Sequence, residues 1–218
     1  MKIKAVVFDL DGTLLDTVGG IAAAMNKVLN AAGLPPHDIV DYKGFVGDGV
    51  AKLTERVLPP EMRTLENIAD YKQRYRVVYD ETWLEHTCPY DGVEDMLRAL
   101  RERGVILAVL SNKLHSNTVD QVDRFFPWKP FEVVLGARDG IPLKPDPQAV
   151  LEIAGLIDVT PGEFVFVGDT PVDMLTAKAA GMTGIGASWG FRTVEELRGA
   201  GASRIIDHPM DLIENLNG

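Results

Sequence analysis

Asp9 and Asp11 stand two residues apart in the run Asp9-Leu10-Asp11-Gly12-Thr13, directly behind the apolar stretch Ala5-Val6-Val7-Phe8. Two carboxylates at the end of a strand that reads as buried are costly, because anions in a partly dehydrated crevice repel unless a cation or a proton separates them. The pair is either solvated in a turn, or it holds a metal ion and does chemistry. Three further polar groups favour the second reading. Ser111-Asn112-Lys113 follows the apolar run 105–110, Lys144-Pro145-Asp146-Pro147 comes after 132–135, and Gly168-Asp169-Thr170-Pro171-Val172-Asp173 follows 164–167. Each has a plain alternative: a surface lysine for Lys144, a helix N-cap for Ser111 or Asn112, a solvated first-turn acid for Asp173. In open α/β sheets, however, the ligand crevice lies outside the carboxyl ends of the strands. Groups placed after successive strands are therefore set to converge on Asp9 and Asp11.

The elements that would position them alternate as in a parallel α/β sheet. Strand-like runs fall at 4–8, 105–110, 132–135, 164–167, 183–186 and 204–206. Helical patterns lie at 93–103, stopped by Gly104, at 116–126, stopped by Pro127, at 146–154, and at 172–180, stopped by Gly181. Shorter helices are expected at 194–198 and 211–216. One stretch breaks the alternation. Residues 17–32 look helical, with Ile21, Met25, Val28 and Leu29 on one face, and 49–58 and 61–84 continue that character. An all-helical insert of this length exceeds a crossover connection and reads as a second domain. The expected division is an α/β core of residues 1–15 and 88–218 and a helical cap of residues 16–87.

Composition bounds the partners. The chain has 218 residues and a formal net charge of −10, without a clustered basic stripe. Nucleic acid and anionic membranes are therefore not expected partners. A small anionic substrate stays open, since a bound divalent cation can reverse the local sign. Cys88 is the sole cysteine and reads as a half-buried apolar residue, so neither an internal disulfide nor a cysteine zinc site is available. The N-terminal apolar stretch is interrupted by Asp9 and Asp11 before a signal sequence could form, and 105–110 is too short to span a bilayer. A cytoplasmic protein, monomer or homodimer, is expected.

Taken together, the four polar groups resemble the motif series of the haloacid dehalogenase (HAD) superfamily, specifically its capped phosphatases of the phosphoglycolate phosphatase type. Asp9-x-Asp11-Gly12-Thr13 matches the first motif, Ser111 the second, Lys144 the third, and Gly168-Asp169-x-x-x-Asp173 the fourth. The resemblance runs over essentially the whole chain. It implies a Rossmann-like parallel sheet core with an inserted α-helical cap of the C1 type. It further implies a Mg²⁺-dependent phosphomonoester hydrolase, with the Asp9 carboxylate, the Asp11 main-chain carbonyl and Asp169 holding the ion.

Phosphoryl transfer needs a positioned nucleophile, counter-charge for the phosphoryl oxygens and a proton for the leaving group. Asp9 can attack phosphorus to give an aspartyl-phosphate, and Asp11 can protonate the bridging oxygen and then activate water. Lys144 can neutralise both nucleophile and phosphoryl group. Asp173, one helical turn after Asp169, is expected to hold Lys144 or ordered water. Ser111, Asn112 and Thr13 are expected to contact substrate, and the amides from Gly12 onward to form an anion nest.

Asp11 argues against a metal-independent dehalogenase, which lacks an acid there. Lys43 and Lys52 leave a Schiff-base phosphonatase formally open, and a sugar phosphomutase or a pyrophosphatase shares the core residues. A regulatory binding protein on this fold would have no need of both acids. The run Gly44-Phe45-Val46-Gly47-Asp48-Gly49 resembles the specificity loop of phosphoglycolate phosphatases, with Gly47 against the substrate. Its plain alternative is a helix–helix turn. Lys43 is available for a substrate carboxylate, or is simply solvated. The leading substrate is 2-phosphoglycolate.

Overall fold

The computed structural model describes residues 3–215. Six parallel strands form the central sheet: β1 (Ala5–Phe8), β4 (Ile106–Leu114), β5 (Val133–Ala137), β6 (Phe164–Gly168), β7 (Thr183–Ala187) and β8 (Arg204–Ile206), in the spatial order β5-β4-β1-β6-β7-β8. The chain thus starts in the middle, builds outward through β4 and β5, and returns to the other side of β1 for β6. That reversal places a topological switch point at β1 and β6, where such sheets bind ligands.

β1 is buried on both faces, and its side chains alternate. Val6 and Phe8 join one apolar layer with α5 (Val93–Glu102), α6 (His115–Phe125) and α10 (Asp211–Asn215). Ala5 and Val7 join the other with α7 (Gln148–Leu156) and α8 (Pro171–Ala180). This is the two-residue period of a strand covered on both sides. Helix α9 (Val194–Gly199) completes the crossover to β8.

The insert forms its own apolar cluster. It contains α1 (Val18–Ala31), α2 (Ile39–Phe45), α3 (Val50–Val57) and α4 (Leu65–Thr82), with short 3₁₀ turns at Pro60–Met62 and Trp83–His86. Ile21, Met25, Val28 and Leu29 point inward from α1 as the sequence pattern implied, facing Tyr71, Tyr75 and Tyr79 of α4. The chain leaves and re-enters the core through a two-residue antiparallel ribbon, β2 (Leu15–Asp16) with β3 (Cys88–Pro89).

Several boundaries differ from expectation. β4 runs four residues further, through Ser111-Asn112-Lys113-Leu114, and rejoins β5 at Leu114 and Ala137 after a register shift. Gly44 and Phe45 belong to α2, a helix the sequence did not signal, so the cap loop is only 46–49. Residues 61–84 are not one helix, because Thr64 takes an extended backbone and caps α4, its hydroxyl accepting from Asn67 N. Helix α7 starts at Gln148 rather than at 146, since residues preceding Pro145 and Pro147 are pushed out of the helical region. Leu216, the expected end of the last helix, lies outside the described residues. Cys88 is exposed, not half-buried, because it sits on the narrow ribbon. Among the described residues no helix is long and apolar enough to cross a membrane.

Candidate active site

Asp9 leaves β1 at its carboxyl end, with its amide donating to Val167 O of β6 at 2.9 Å. The chain then turns sharply. The Leu10 carbonyl accepts from Thr13, Leu14 and Leu15 N, and Gly12 N donates to Leu15 O. The amides from Gly12 onward are thereby consumed by the turn, which corrects the expectation that they form an anion nest. Gly12 is required here twice over: its φ is +85°, and a Cβ would collide with Asp169 and Phe191.

Three buried carboxylates meet behind this turn. Asp9, Asp169 and Asp173 each present an oxygen within 4.8 Å of the other two. Lys144 is the cation among them, its ammonium 2.9 Å from Asp9 Oδ1 and 2.6 Å from Asp173 Oδ1. Asp173 is fully committed, because its other oxygen accepts from Thr170 N and Thr170 Oγ1 at the start of α8. It therefore anchors Lys144 and the helix terminus, and has little left for a ligand. Lys144 also donates to Leu110 O, and its burial is outweighed by Asp173 and Asp9, so its pKa rises. It stays charged at any physiological pH.

Among the described residues Asp169 has no cation paired to it. Thr13 Oγ1 donates to its Oδ1 at 2.8 Å and Phe191 N to its Oδ2 at 2.8 Å. Burial, then the charges of Asp9 and Asp173, push its pKa well up. Asp9 is likewise pushed up to about 7, chiefly by burial, with Asp173 and Asp11 adding to what Lys144 opposes. Its Oδ1 sits beside Lys144, yet out of line for a hydrogen bond, and is a buried oxygen without a donor. The balance is three carboxylates against one ammonium. A buried ion left without a partner costs several kcal/mol, so neutral hydrogen-bond donors alone do not settle two surplus charges. Hard oxygen donors with a surplus of negative charge suit a divalent cation of the Mg²⁺ kind. Asp9 and Asp169 have the unspent capacity to hold it.

Asp11 is handled separately. Lys113 Nζ donates to its Oδ1 at 2.5 Å, to Tyr79 Oη at 2.8 Å and to Gln121 Oε1 at 2.9 Å, and Gln121 Nε2 donates back to Tyr79 Oη. Burial opposes the charge on Lys113, but Asp11 and Tyr79 outweigh it and raise its pKa. Lys113 entered the sequence reading only as part of the polar run 111–113, without a role of its own, and neither Tyr79 nor Gln121 stood out as a site residue. No local signal was available for Lys113, because the sequence pattern ends the strand at residue 110 and β4 carries a register shift between Leu110 and Leu114.

The remaining expected residues distribute as follows. Ser111 is buried beside Asp9 in the cavity wall, its Oγ accepting from Lys113 N at 3.2 Å. Asn112 binds main chain on three sides, donating to Gly47 O and Lys144 O and accepting from Lys144 N. It thereby ties the cap loop to the Lys144 segment. Thr13 is spent on Asp169. Gly47 lies in the cavity wall with φ +115°, packed near Thr170. Lys43 is exposed and outside that wall, and Lys52 pairs with Glu55 at the surface.

The cap is docked over these groups. Arg192, just past Phe191, donates to the carbonyls of Lys43, Gly44 and Val46 at the end of α2, and Asn117 donates to Asp80 of α4. Between cap and core a cavity of about 390 Å³ remains, walled by Asp9, Asp11 and Ser111 from the core and by α4 and the 46–49 loop from the cap. A small phosphate ester fits such a volume.

Residues 6–187 match the family model for haloacid dehalogenase-like hydrolases. A phosphoglycolate phosphatase of Chromobacterium violaceum is 32% identical, the match covering 98% of this chain and 97% of that protein. One from Pseudomonas putida is 33% identical over 94% of this chain and 76% of its own length. The crystal structure of a candidate phosphoglycolate phosphatase from Lactobacillus delbrueckii superposes with a TM-score of 0.93 over 99% of both chains at 31% identity. Motif order, site geometry and likeness over the full length agree: the chain belongs to the haloacid dehalogenase-like hydrolases, as a phosphatase similar to the phosphoglycolate phosphatases.

Proposed function

We propose that this phosphatase hydrolyses 2-phosphoglycolate or a close analogue, in a Mg²⁺-dependent reaction through a phosphoryl group carried on Asp9. The observation that supports this most is the separation of the two acids. Asp9 shares a buried anionic cluster with Lys144 and Asp169, whereas Asp11 faces the cavity on a lysine of its own. Two carboxylates with different surroundings can take different tasks.

Mg²⁺, held by Asp9, Asp169 and the Asp11 main-chain carbonyl, would supply positive charge for the phosphoryl oxygens. The protein's own groups do the rest. Asp9 attacks phosphorus as the bond to the bridging oxygen breaks. Asp11 gives its proton to that oxygen, and the alcohol leaves. Asp11, now a carboxylate, takes a proton from water as the water attacks the aspartyl-phosphate, which returns Asp9 and releases inorganic phosphate. Lys144 balances the nucleophile throughout, and Ser111 donates its hydroxyl to a phosphoryl oxygen. Asn112 and Gly47 hold the substrate side of the loop in place. The docked cap excludes bulk water. Specificity for a small metabolite follows from the small cavity, and a cytoplasmic location is consistent with such a substrate.

The test is phosphate release from 2-phosphoglycolate and from p-nitrophenyl phosphate, with Mg²⁺ and with chelator. Turnover of both with Mg²⁺ and of neither without it is expected. Equal rates in chelator would refute the metal requirement. Good turnover of other esters beside an untouched 2-phosphoglycolate would refute the substrate.

A further inference from the structure

Four cations line the cavity between cap and core: Lys72 and Arg76 from α4, Lys113 from β4, and Arg138 from the segment after β5. Two of these are already spent. Lys113 is paired to Asp11, and Arg138 makes a two-pronged contact with Glu152 at 2.8 and 2.7 Å. Lys72 and Arg76 are not. Among the described residues neither has a hydrogen bond, ion pair or ring contact. Their neighbour on the outer face of α4 differs, since Arg74 is exposed and pairs with Asp70.

The position of the two is set by helix geometry. Lys72, Tyr75, Arg76 and Tyr79 follow the spacing i, i+3, i+4, i+7, which is one face of an α-helix, and that face forms the cap wall of the cavity. Both cations are half-buried. Like charges one turn apart repel, and partial loss of water sharpens the repulsion. Among the described residues lining the cavity, the acid outside the catalytic pair is Asp139, which is exposed and forms no ion pair with either. Ile21, Val50 and Leu53 add apolar surface to the same wall. Two unpaired cations facing a cavity that also reaches Asp9 and Asp11 are suited to a second anion on the molecule that fills it.

We infer that Lys72 and Arg76 form an anion subsite on the cap for the non-reacting end of the substrate. The enzyme thereby selects phosphate monoesters whose leaving group carries its own negative charge, a carboxylate or a further phosphate, over neutral-tailed esters of equal size. The inference rests on the phosphatase reading and deepens it. It moves carboxylate recognition from Lys43, which lies outside the cavity wall, to α4.

The experiment compares 2-phosphoglycolate with 2-hydroxyethyl phosphate, which has the same length and a neutral tail, on the intact protein with Mg²⁺. The wild type should favour the first in kcat/KM. Lys72→Met and Arg76→Met should each lower that ratio about tenfold, the worth of one charge-assisted hydrogen bond. For the carboxylate-bearing ester the loss should appear mainly as a raised KM, because the subsite grips ground and transition states alike. Lys72→Arg should restore the preference, which a purely structural role for the stem would not do. A wild-type ratio near one, or variants that lower both esters by the same factor, would overturn the subsite and leave the phosphatase reading intact. Failure of the wild type on both esters would instead overturn that reading.

Discussion

At the scale of single residues, the site is governed by how many negative charges it buries and how few positive ones. Asp9 and Asp169 are held above their ordinary range because burial penalises their charged forms more than Lys144, Thr13 and Phe191 N compensate. This has a consequence for stability with a definite sign. Between the ordinary carboxylate value and about 7, the folded metal-free protein keeps a proton on Asp9 that the unfolded chain releases. The folded state then binds more protons than the unfolded one, so this group's contribution falls as pH rises through that window. Asp9→Asn, which cannot ionise, should accordingly raise the Tm of chelator-treated protein, by at least about 5 °C more at pH 8 than at pH 5. Thermal melts of both forms at the two pH values measure it, and a difference that shrinks with pH would contradict the burial argument. Mg²⁺ should reduce the difference, because it replaces the proton. Lys144 works in the opposite direction. Its removal would strand two buried carboxylates, and breaking a buried pair in this way costs about 3–5 kcal/mol, so Lys144→Ala should lower Tm as well as activity.

At the scale of elements, the buried acids Asp9, Asp169 and Asp173 are held at strand ends and a helix start, and glycines set how close those ends can come. Gly190 is the tightest case: a Cβ there would overlap the Asp169 side chain, which is fully buried and has nowhere to retreat. Gly190→Ala should therefore displace Asp169 and raise the Mg²⁺ concentration for half-maximal activity about tenfold or more, as disturbing the support of a metal ligand typically does. A Mg²⁺ titration of phosphate release checks this, and an unchanged midpoint would sever Asp169 from the metal. Much of this scaffold was legible in the sequence, because β1 and β6 are apolar runs ending abruptly in acids, and Gly104 and Gly181 stop their helices. The extension of β4 was not. Ser111, Asn112 and Lys113 lack strand character of their own and stay extended because β5 picks up Leu114 again beyond the register shift. Helix α2 was hidden for a different reason. It is seven residues long, and its Ile39 and Val40 face solvent, so no apolar stripe announces it.

At the scale of the whole molecule, the sheet carries the reacting groups and the cap closes over them. The contacts that join the halves were not legible in the sequence. Lys113 meets Tyr79 across 34 positions, and Arg192 meets the end of α2 across 146 to 149, with no local pattern to signal either. The insert itself was legible, since its helices interrupt a regular alternation, and its return through β2 and β3 is too short to have a signature of its own. In the proposed mechanism, closure of this kind would shield an aspartyl-phosphate until Asp11 activates water. Asp11→Asn should thus form the phosphoenzyme from 2-phosphoglycolate and lose it slowly. The most direct measurement is borohydride reduction of that variant during turnover with Mg²⁺, followed by peptide mass analysis. An acyl phosphate on Asp9 is reduced to homoserine with release of phosphate, so homoserine at position 9, dependent on both substrate and Mg²⁺, is the expected result. Phosphate release by the variant with Asp9 unmodified, or homoserine at another position, would contradict Asp9 as the nucleophile.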